Sequence, residues 1–313
     1  MHYTEENNRI KSDFITFFKE KGYVLEPSVA LNSKIDPSVF LVGNCTNVFK
    51  QRLLNQNIGN SGHVLVQPAI NSKKIPDFFS QEIKRFSSSY TSLGILHELK
   101  YLHDVITLQY EFFTQIVGLD SAKISISVNF NDKDFIDALK HYRNLNIITE
   151  NESCRNKFGQ CGDFLLTGRN IRFYYNGNNI CVLSVYQNGK KDLAIESSST
   201  IQVLLMEKYS LSNTMAVSVL NDFYQASNNY ELKYYDCIST VAEMLHSGIR
   251  PNSSHMDGRI LKKYIKIVIQ TCNKMDKNLR NYSDLIAFYL NSTYPNHCMD
   301  IKSVVQEAFE KCR

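Results

Sequence analysis

Five cations toward one end of the chain, Arg250, Arg259, Lys262, Lys263 and Lys266, offer the most direct chemistry in the sequence. Gathered as a stripe on one helix they would meet the phosphates of a nucleic acid; the alternative is a solvated helix face. The hydroxyl run Ser197-Ser198-Ser199-Thr200 has the donors to hold a polar ligand. It equally has the composition of an N-cap for a helix over 200–209, and that use needs no ligand. Cys45, Cys154 and Cys161 have the chemistry of nucleophiles or metal ligands. No His or Asp stands at useful spacing from them, and the eight cysteines include no Cys-x-x-Cys pair. Ordinary reduced thiols and no metal site are therefore expected. His246, inside a helical stretch, reads as a packing histidine rather than a catalytic one.

The elements that must position these groups follow from periodicity. Ile10, Phe14, Phe17 and Phe18 repeat at helical spacing, which predicts a helix over 6–21 closed by Gly22. Residues 63–70 predict a strand. Apolar positions from Leu99 to Ile116 predict a long helix over 98–118. Strict alternation of Ile124, Ile126, Val128 and Phe130 predicts a strand over 123–130 with those four side chains on one face. A helix is expected over 132–145. Strands over 170–175 and 179–187 flank Asn176-Gly177-Asn178, a hairpin signal. A further turn at Gln187–Lys191 leads into a strand over 192–196 and the helix over 200–209. From about residue 211 the pattern is helical. Strands in succession followed by helices predict an α+β fold rather than strict βαβ alternation.

Composition sets the outer bounds. The 313 residues suffice for one large domain or two packed ones. Apolar content of 43% and charged content of 21% are those of an ordinary globular protein. A net charge of +4 permits an anionic partner without demanding one. The polar stretch Met1–Lys11 lacks the apolar segment of a secretory leader. No apolar run reaches the ~18 residues of a membrane span. A cytoplasmic protein with no membrane partner is expected.

Several blocks carry a family resemblance. The first is Ile10-Lys-Ser-Asp-Phe-Ile-Thr-Phe-Phe-Lys-Glu-Lys-Gly22, followed by Pro27-Ser-Val-Ala-Leu31, Asp36-Pro37 and Asn47-Val-Phe-Lys50. The last is the run from Asp236 through His246 to Gly248-Ile-Arg-Pro251, then Gly258-Arg-Ile-Leu-Lys-Lys-Tyr-Ile-Lys266, with Tyr294-Pro295, Ile301 and Glu307 beyond it. Together these resemble alanyl-tRNA synthetases, from their Phe-Phe-x-x-Lys-Gly-His opening to the helix that ends in a Gly-x-x-Pro turn. The resemblance implies a class II synthetase-like antiparallel sheet flanked by helices over 1–210. It implies an all-helical domain over 211–313 like the start of the family's tRNA-recognition region. No counterpart of the family's editing and C-terminal domains follows, so a truncated paralogue is expected.

The family activates an amino acid by joining its carboxylate to the α-phosphate of ATP, and cations must screen the two anions. At the matching positions the resemblance implies loss. The first motif 2 arginine is replaced by Pro68 and the second by Asn71, the motif 2 glutamate by Thr91, and the motif 3 arginine by Val203. Leu93 and Gly94 of the scaffold survive. The family's Gly- and Cys-rich loop is reduced to Gly159-Gln-Cys-Gly-Asp-Phe164. Losing one transition-state donor typically costs ~10²–10³ in rate. Lys73, Lys74, Lys84 and Arg85, in the motif 2 loop, are the cations that would have to compensate.

Two functions follow as expectations. One is a motif-degenerate paralogue that no longer charges tRNA by the usual ATP-dependent route and binds tRNA, an aminoacyl group or a protein partner. The other is an active ATP- and Mg²⁺-dependent amino-acid activating or aminoacyl-transferring enzyme with non-standard site residues. Under the first no cofactor is expected. The candidate ligand pocket comprises Gln67, Asn71, Lys73, Lys74, Arg85, Thr91, Glu196 and Ser198. The candidate contact with a tRNA acceptor stem is the stripe Arg250, Arg259, Lys262, Lys263 and Lys266. DNA is not an expected partner, and monomer and dimer both remain open.

Overall fold

The computed structural model describes residues 3–71, 85–140, 142, 146–150, 166–188, 191–274 and 281–312. The first helix, α1 (Tyr3–Glu20), buries Ile10, Phe14, Phe17 and Phe18 along one face, as an amphipathic repeat requires. It ends where Gly22 takes φ +86°, a left-handed conformation that a residue without Cβ adopts freely.

Eight strands form one mixed sheet in the order β1-β2-β3-β8-β7-β6-β4-β5. They are β1 (Val24–Leu25), β2 (His63–Ile70), β3 (Ser89–His97), β4 (Ile124–Asn129), β5 (Asn146–Glu150), β6 (Leu166–Tyr175), β7 (Asn178–Asn188) and β8 (Lys191–Thr200). All neighbours run antiparallel except β1 beside β2 and β4 beside β5. The hairpin between β6 and β7 turns at Asn176 (φ +48°) and Gly177 (φ +79°), the two positive angles that a tight Asn-Gly turn needs.

On one side of the sheet, α1, α3 (Leu102–Glu111) and α5 (Ile201–Lys208) cover a core that includes Phe14, Phe18, Phe112, Phe113 and Phe173. Phe14 meets Phe18 and Phe112 edge-on, with centroids 4.9 and 5.0 Å apart, a favoured aromatic geometry. On the other side lies α2 (Cys45–Leu54), with Phe49 and Leu53 against Leu65, Leu96 and Tyr186. The close approach of α2 requires Gly94: a Cβ there would lie 2.3 Å from Cys45 Cβ. The segment before α2 is fixed by a buried ion pair, Lys50 Nζ to Asp36 Oδ1 at 2.5 Å. Asn47 Nδ2 and Ser38 Oγ donate to the same carboxylate at 2.8 and 2.7 Å. The Asp36-Pro37 and Asn47–Lys50 blocks of the family resemblance therefore meet in one scaffold network.

After α4 (Lys133–Leu139) and α5 the chain is helical: α6 (Val219–Tyr224), α7 (Asn229–His246), α8 (Met256–Lys274), α9 (Tyr282–Thr293) and α10 (Ile301–Glu310). Tyr234, Val241, Leu261, Tyr264, Leu290 and Phe309 centre a second core, which extends onto Leu31, Leu41 and Ile70 beside the sheet. The α+β class and the succession of sheet then helices stand as the sequence predicts.

Five expectations change in detail. The helix over 132–145 is only α4, and residue 146 already begins the edge strand β5. The α4 crossover lets β5 lie parallel to β4, so the sheet is mixed rather than wholly antiparallel. Phe130 falls past the end of β4 and is exposed, not on the face with Ile126 and Val128. The helix over 98–118 divides into a 3₁₀ turn (Leu99–Tyr101), α3, and a π-helical end (Phe112–Val117) that stops at Gly118. The run Ser197–Thr200 is the end of β8, and Thr200 makes no side-chain cap bond to α5.

Gly94→Ala is expected to destabilise the fold by roughly 1–3 kcal/mol, because neither the sheet nor α2 can yield by the required distance. Urea unfolding measures it; an unchanged midpoint would show that α2 is not held this close.

Candidate functional site

The candidate residues gather where β2, β3 and β8 run side by side. Pro68 faces Thr91 across the β2–β3 ladder. A proline is tolerated there because β1 pairs only with His63 and Val64, leaving the far half of β2 without a ladder partner on that side. Alternation along the strands then separates the candidates. Pro68 and Thr91 line a first cavity of about 330 Å³, together with Lys11, Asp236, Ser239 and Glu243. Asn71, Ser198 and Val203 line a second cavity of about 290 Å³, with Phe86, Ile180 and Thr200. The two share Ser87, Tyr90 and Thr214 as a wall.

Gln67 and Glu196 open onto neither cavity. Gln67 is fully buried and clamps the passing chain: its Oε1 accepts from Val29 N at 2.9 Å and its Nε2 donates to Val29 O at 2.8 Å. Glu196 is buried under α2, accepting from Thr46 Oγ1 at 2.8 Å and Tyr186 Oη at 2.6 Å. Burial pushes its carboxyl up to about 7, against the pull of those two hydroxyls. Arg85 donates to Asn178 Oδ1 and pairs with Glu207. Its charge is thus met inside the protein rather than offered to the second cavity. Lys73, Lys74 and Lys84 lie outside the described residues, as do Cys154, Cys161 and the 159–164 loop.

The second cavity is a chamber of hydroxyls, amides and apolar carbons. None of its described lining residues carries a charge. Tyr90 donates to Gly43 O, which anchors its ring between the cavities. A triphosphate with Mg²⁺ would need cations and carboxylates here. The described lining supplies neither, so this donor set does not fit that group. Among the described residues no cluster of three His, Cys, Asp or Glu could hold a metal. Cys45, the first residue of α2, is sealed against Gly94 of the sheet, where burial pushes its thiol up and away from a reactive thiolate.

The cationic stripe divides. Arg250 turns back on α7 and donates to Leu245 O at 3.2 Å and Ile249 O at 3.0 Å, a helix C-terminal cap. Lys262 donates to Ser253 Oγ at 3.1 Å. Arg259, Lys263 and Lys266 are exposed, and their spacing along α8 sets them on one face. His246 stacks on Tyr294 with centroids 3.9 Å apart, a packing role.

Sequence reasoning missed the acidic and hydroxyl groups of the first cavity. Asp236 is fully buried against the start of β3, accepting from Ser88 N at 2.8 Å and Ser88 Oγ at 2.7 Å. Glu243 accepts from the hydroxyls of Tyr289 and Tyr294, both at 2.6 Å. One signal was available: Asp236, Ser239 and Glu243 sit at helical spacing inside a largely apolar run.

No family model matches the chain. Over 130 residues the chain is 27% identical to alanine–tRNA ligase of Latilactobacillus sakei subsp. sakei (strain 23K), a stretch covering 40% of this chain and 15% of that protein. Over that stretch the sequence is alanyl-tRNA synthetase-like. Among solved structures, the chain is similar to a putative aspartyl-tRNA synthetase from Leishmania major Friedlin, at TM-score 0.46 and 11% identity, covering 72% of this chain and 66% of that one. It is also similar to a pyrrolysyl-tRNA synthetase from Desulfitobacterium hafniense, at TM-score 0.43 and 7% identity, covering 71% and 74% respectively.

Burial raises the Asp236 carboxyl from its ordinary 3.8 to about 6. The folded state therefore holds that proton more tightly than the unfolded chain. The stability this confers is complete below about pH 4 and is lost as pH rises to about 6, where the buried group must ionise. Asp236→Asn keeps an acceptor for Ser88 N and never ionises. Its stability relative to wild type is expected to rise by roughly 2–3 kcal/mol between about pH 4 and pH 7. Urea midpoints at the two pH values test this; a constant difference between the proteins would refute it.

Proposed function

We propose that the chain is an alanyl-tRNA synthetase-like paralogue that binds tRNA, an aminoacyl group or a protein partner and does not charge tRNA by the usual ATP-dependent route. In this reading residues 1–210 form a catalytic-type domain and 211–313 a helical domain akin to the start of the family's tRNA-recognition region, in a cytoplasmic setting. The observation that carries it is the uncharged described wall of the second cavity, with Asn71 and Val203 at arginine positions and Arg85 committed to Glu207. Transferring an α-phosphate demands cations aimed at the developing charge. Hydroxyls and amides instead suit a neutral or zwitterionic guest.

The exposed face Arg259, Lys263 and Lys266 supports a nucleic-acid contact, because such side chains bind phosphates by releasing counterions. A second reading, an amino-acid activating enzyme using ATP and Mg²⁺, draws support from the retained scaffold: Gly94 beneath α2, the Asp36–Lys50 network, and a cavity beside Ser198.

Two measurements separate these readings. ATP–pyrophosphate exchange with a panel of the standard amino acids is expected to stay at the blank rate; exchange above blank with any of them would establish the enzyme. A gel shift with total tRNA is expected to weaken steeply as salt rises. Replacing Arg259, Lys263 and Lys266 together by Glu should lower the log–log salt slope by about 2–3. Binding that ignores both salt and the triple substitution would remove the stripe from the tRNA contact.

A further inference from the structure

The described lining of the first cavity includes a single basic side chain, Lys11. Thr4, Asn7 and Lys11 stand on α1 at spacings that share one helix face, and Ser239 and Glu243 of α7 line the same cavity. The other titratable groups of the lining are already engaged. Asp236 accepts from Ser88, Glu243 accepts from the hydroxyls of Tyr289 and Tyr294, and Tyr90 donates to Gly43 O. Among the described residues no carboxylate lies within ion-pair distance of Lys11. Burial lowers the affinity of its amine for a proton, with Glu243 opposing.

A lysine taken out of water and left unpaired gives up its proton more readily than an exposed one, and the free amine is a nucleophile toward carbonyl carbon. Its surroundings suit that chemistry. Thr4 Oγ1, Asn7 Oδ1 and Ser239 Oγ are buried without a hydrogen-bond partner; Asn7 is 9% exposed and Ser239 4%. Buried polar groups in folded proteins are almost always paired, so these three orphans on one cavity mark a missing complement. A hydroxyl of Thr4 or Ser239 can donate to a carbonyl oxygen. Asn7 Oδ1 only accepts, and so serves the hydroxyl that this oxygen becomes after attack. With Asp236 and Glu243 in the wall and no described cation besides Lys11, an anionic guest is repelled and a neutral one is favoured. A volume of about 330 Å³ sits at the small end of ligand cavities.

We propose that Lys11 forms an imine with a small, neutral aldehyde or ketone bound in this cavity. The lone pair of Lys11 Nζ bonds to the carbonyl carbon while the C=O π pair moves onto oxygen. A proton passes from nitrogen to that oxygen and gives the carbinolamine. The nitrogen lone pair then expels the hydroxyl, which takes up a proton and leaves as water, and the nitrogen gives up its last proton. Amine and carbonyl thus become imine and water, with nothing oxidised or reduced, and water reverses the step. The inference does not rest on the function proposed above: neither of those readings uses Lys11, and it holds whether or not the chain exchanges pyrophosphate.

The full chain is incubated at neutral pH with glycolaldehyde or hydroxyacetone, and cyanoborohydride delivers a hydride to any imine, fixing it as a secondary amine. Peptide mass mapping then gives the rate at each lysine. With at least one of the two probes, Lys11 is expected to be labelled severalfold faster than Lys19 and Lys263, which are exposed, and its rate should saturate as the probe concentration rises. In urea that preference should vanish. Asn7→Ala and Ser239→Ala are each expected to raise the half-saturating concentration severalfold and to leave labelling of Lys19 unchanged. If either variant fails to fold, the wild-type saturation curve and the urea comparison decide. Lys11 labelled no faster than the exposed lysines with both probes would overturn the proposal. A rate at Lys11 that climbs linearly without saturating would also overturn it, since that describes a reactive amine with no binding site. So would folded variants whose half-saturation matches the wild type.

Discussion

The buried carboxylate of Asp236, held by the backbone and hydroxyl of Ser88, is a central polar contact between the helices and the sheet. It anchors α7 at the point where the chain enters β3. The same stretch is pinned from another side, since Thr214 N donates to Arg85 O at 2.9 Å and Ser87 N donates to Thr214 Oγ1 at 2.6 Å. Residues 85–88 are thus clamped between two helical segments, and both cavities open against that clamp. An ionised Asp so deeply buried is costly, and two donors offset only part of the cost. The interaction therefore specifies one docking geometry more than it adds stability.

Several residues of the blocks that resemble alanyl-tRNA synthetases are structural. Asp36, Asn47 and Lys50 form one network, Gly94 admits α2, and Asp236 docks α7. The positions that the resemblance aligns with the family's nucleotide-site charges divide between the two cavities, Pro68 and Thr91 lining the first and Asn71 and Val203 the second. Packing tolerates few changes at the first set, because each makes a close contact or satisfies a buried charge. A cavity wall tolerates many, and the described wall of the second cavity carries no charge.

Electrostatic pairing inside the chain absorbs the charges that sequence alone offers to ligands. Arg85 meets Glu207, Arg250 caps α7, and Glu196 is enclosed by Thr46 and Tyr186. Of the candidate cations among the described residues, Arg259, Lys263 and Lys266 remain exposed on one face, and Lys11 lies beside orphan polar atoms in a cavity. The two features are chemically distinct: one is a cationic face in solvent, the other a lysine amine among buried polar atoms.

Local pattern alone determined α1 with its Gly22 stop, the Asn-Gly hairpin of β6 and β7, the alternation of β4, the helical character beyond residue 211, and the α+β class. Each depends on neighbours within a turn or two of chain, where periodicity and backbone preference act directly. Tertiary structure alone decided the edge strand β5, the fate of Ser197–Thr200 as strand rather than cap, and which candidate residues face a cavity. Gln67 and Glu196 look like ligand groups until Val29, 38 residues away, and Thr46, 150 residues away, take up their hydrogen bonds. A polar side chain carries no mark in sequence of whether its partner will be a distant residue of the same chain or another molecule. That choice is made only when burial removes water and each donor must find an acceptor among the groups the fold has brought beside it.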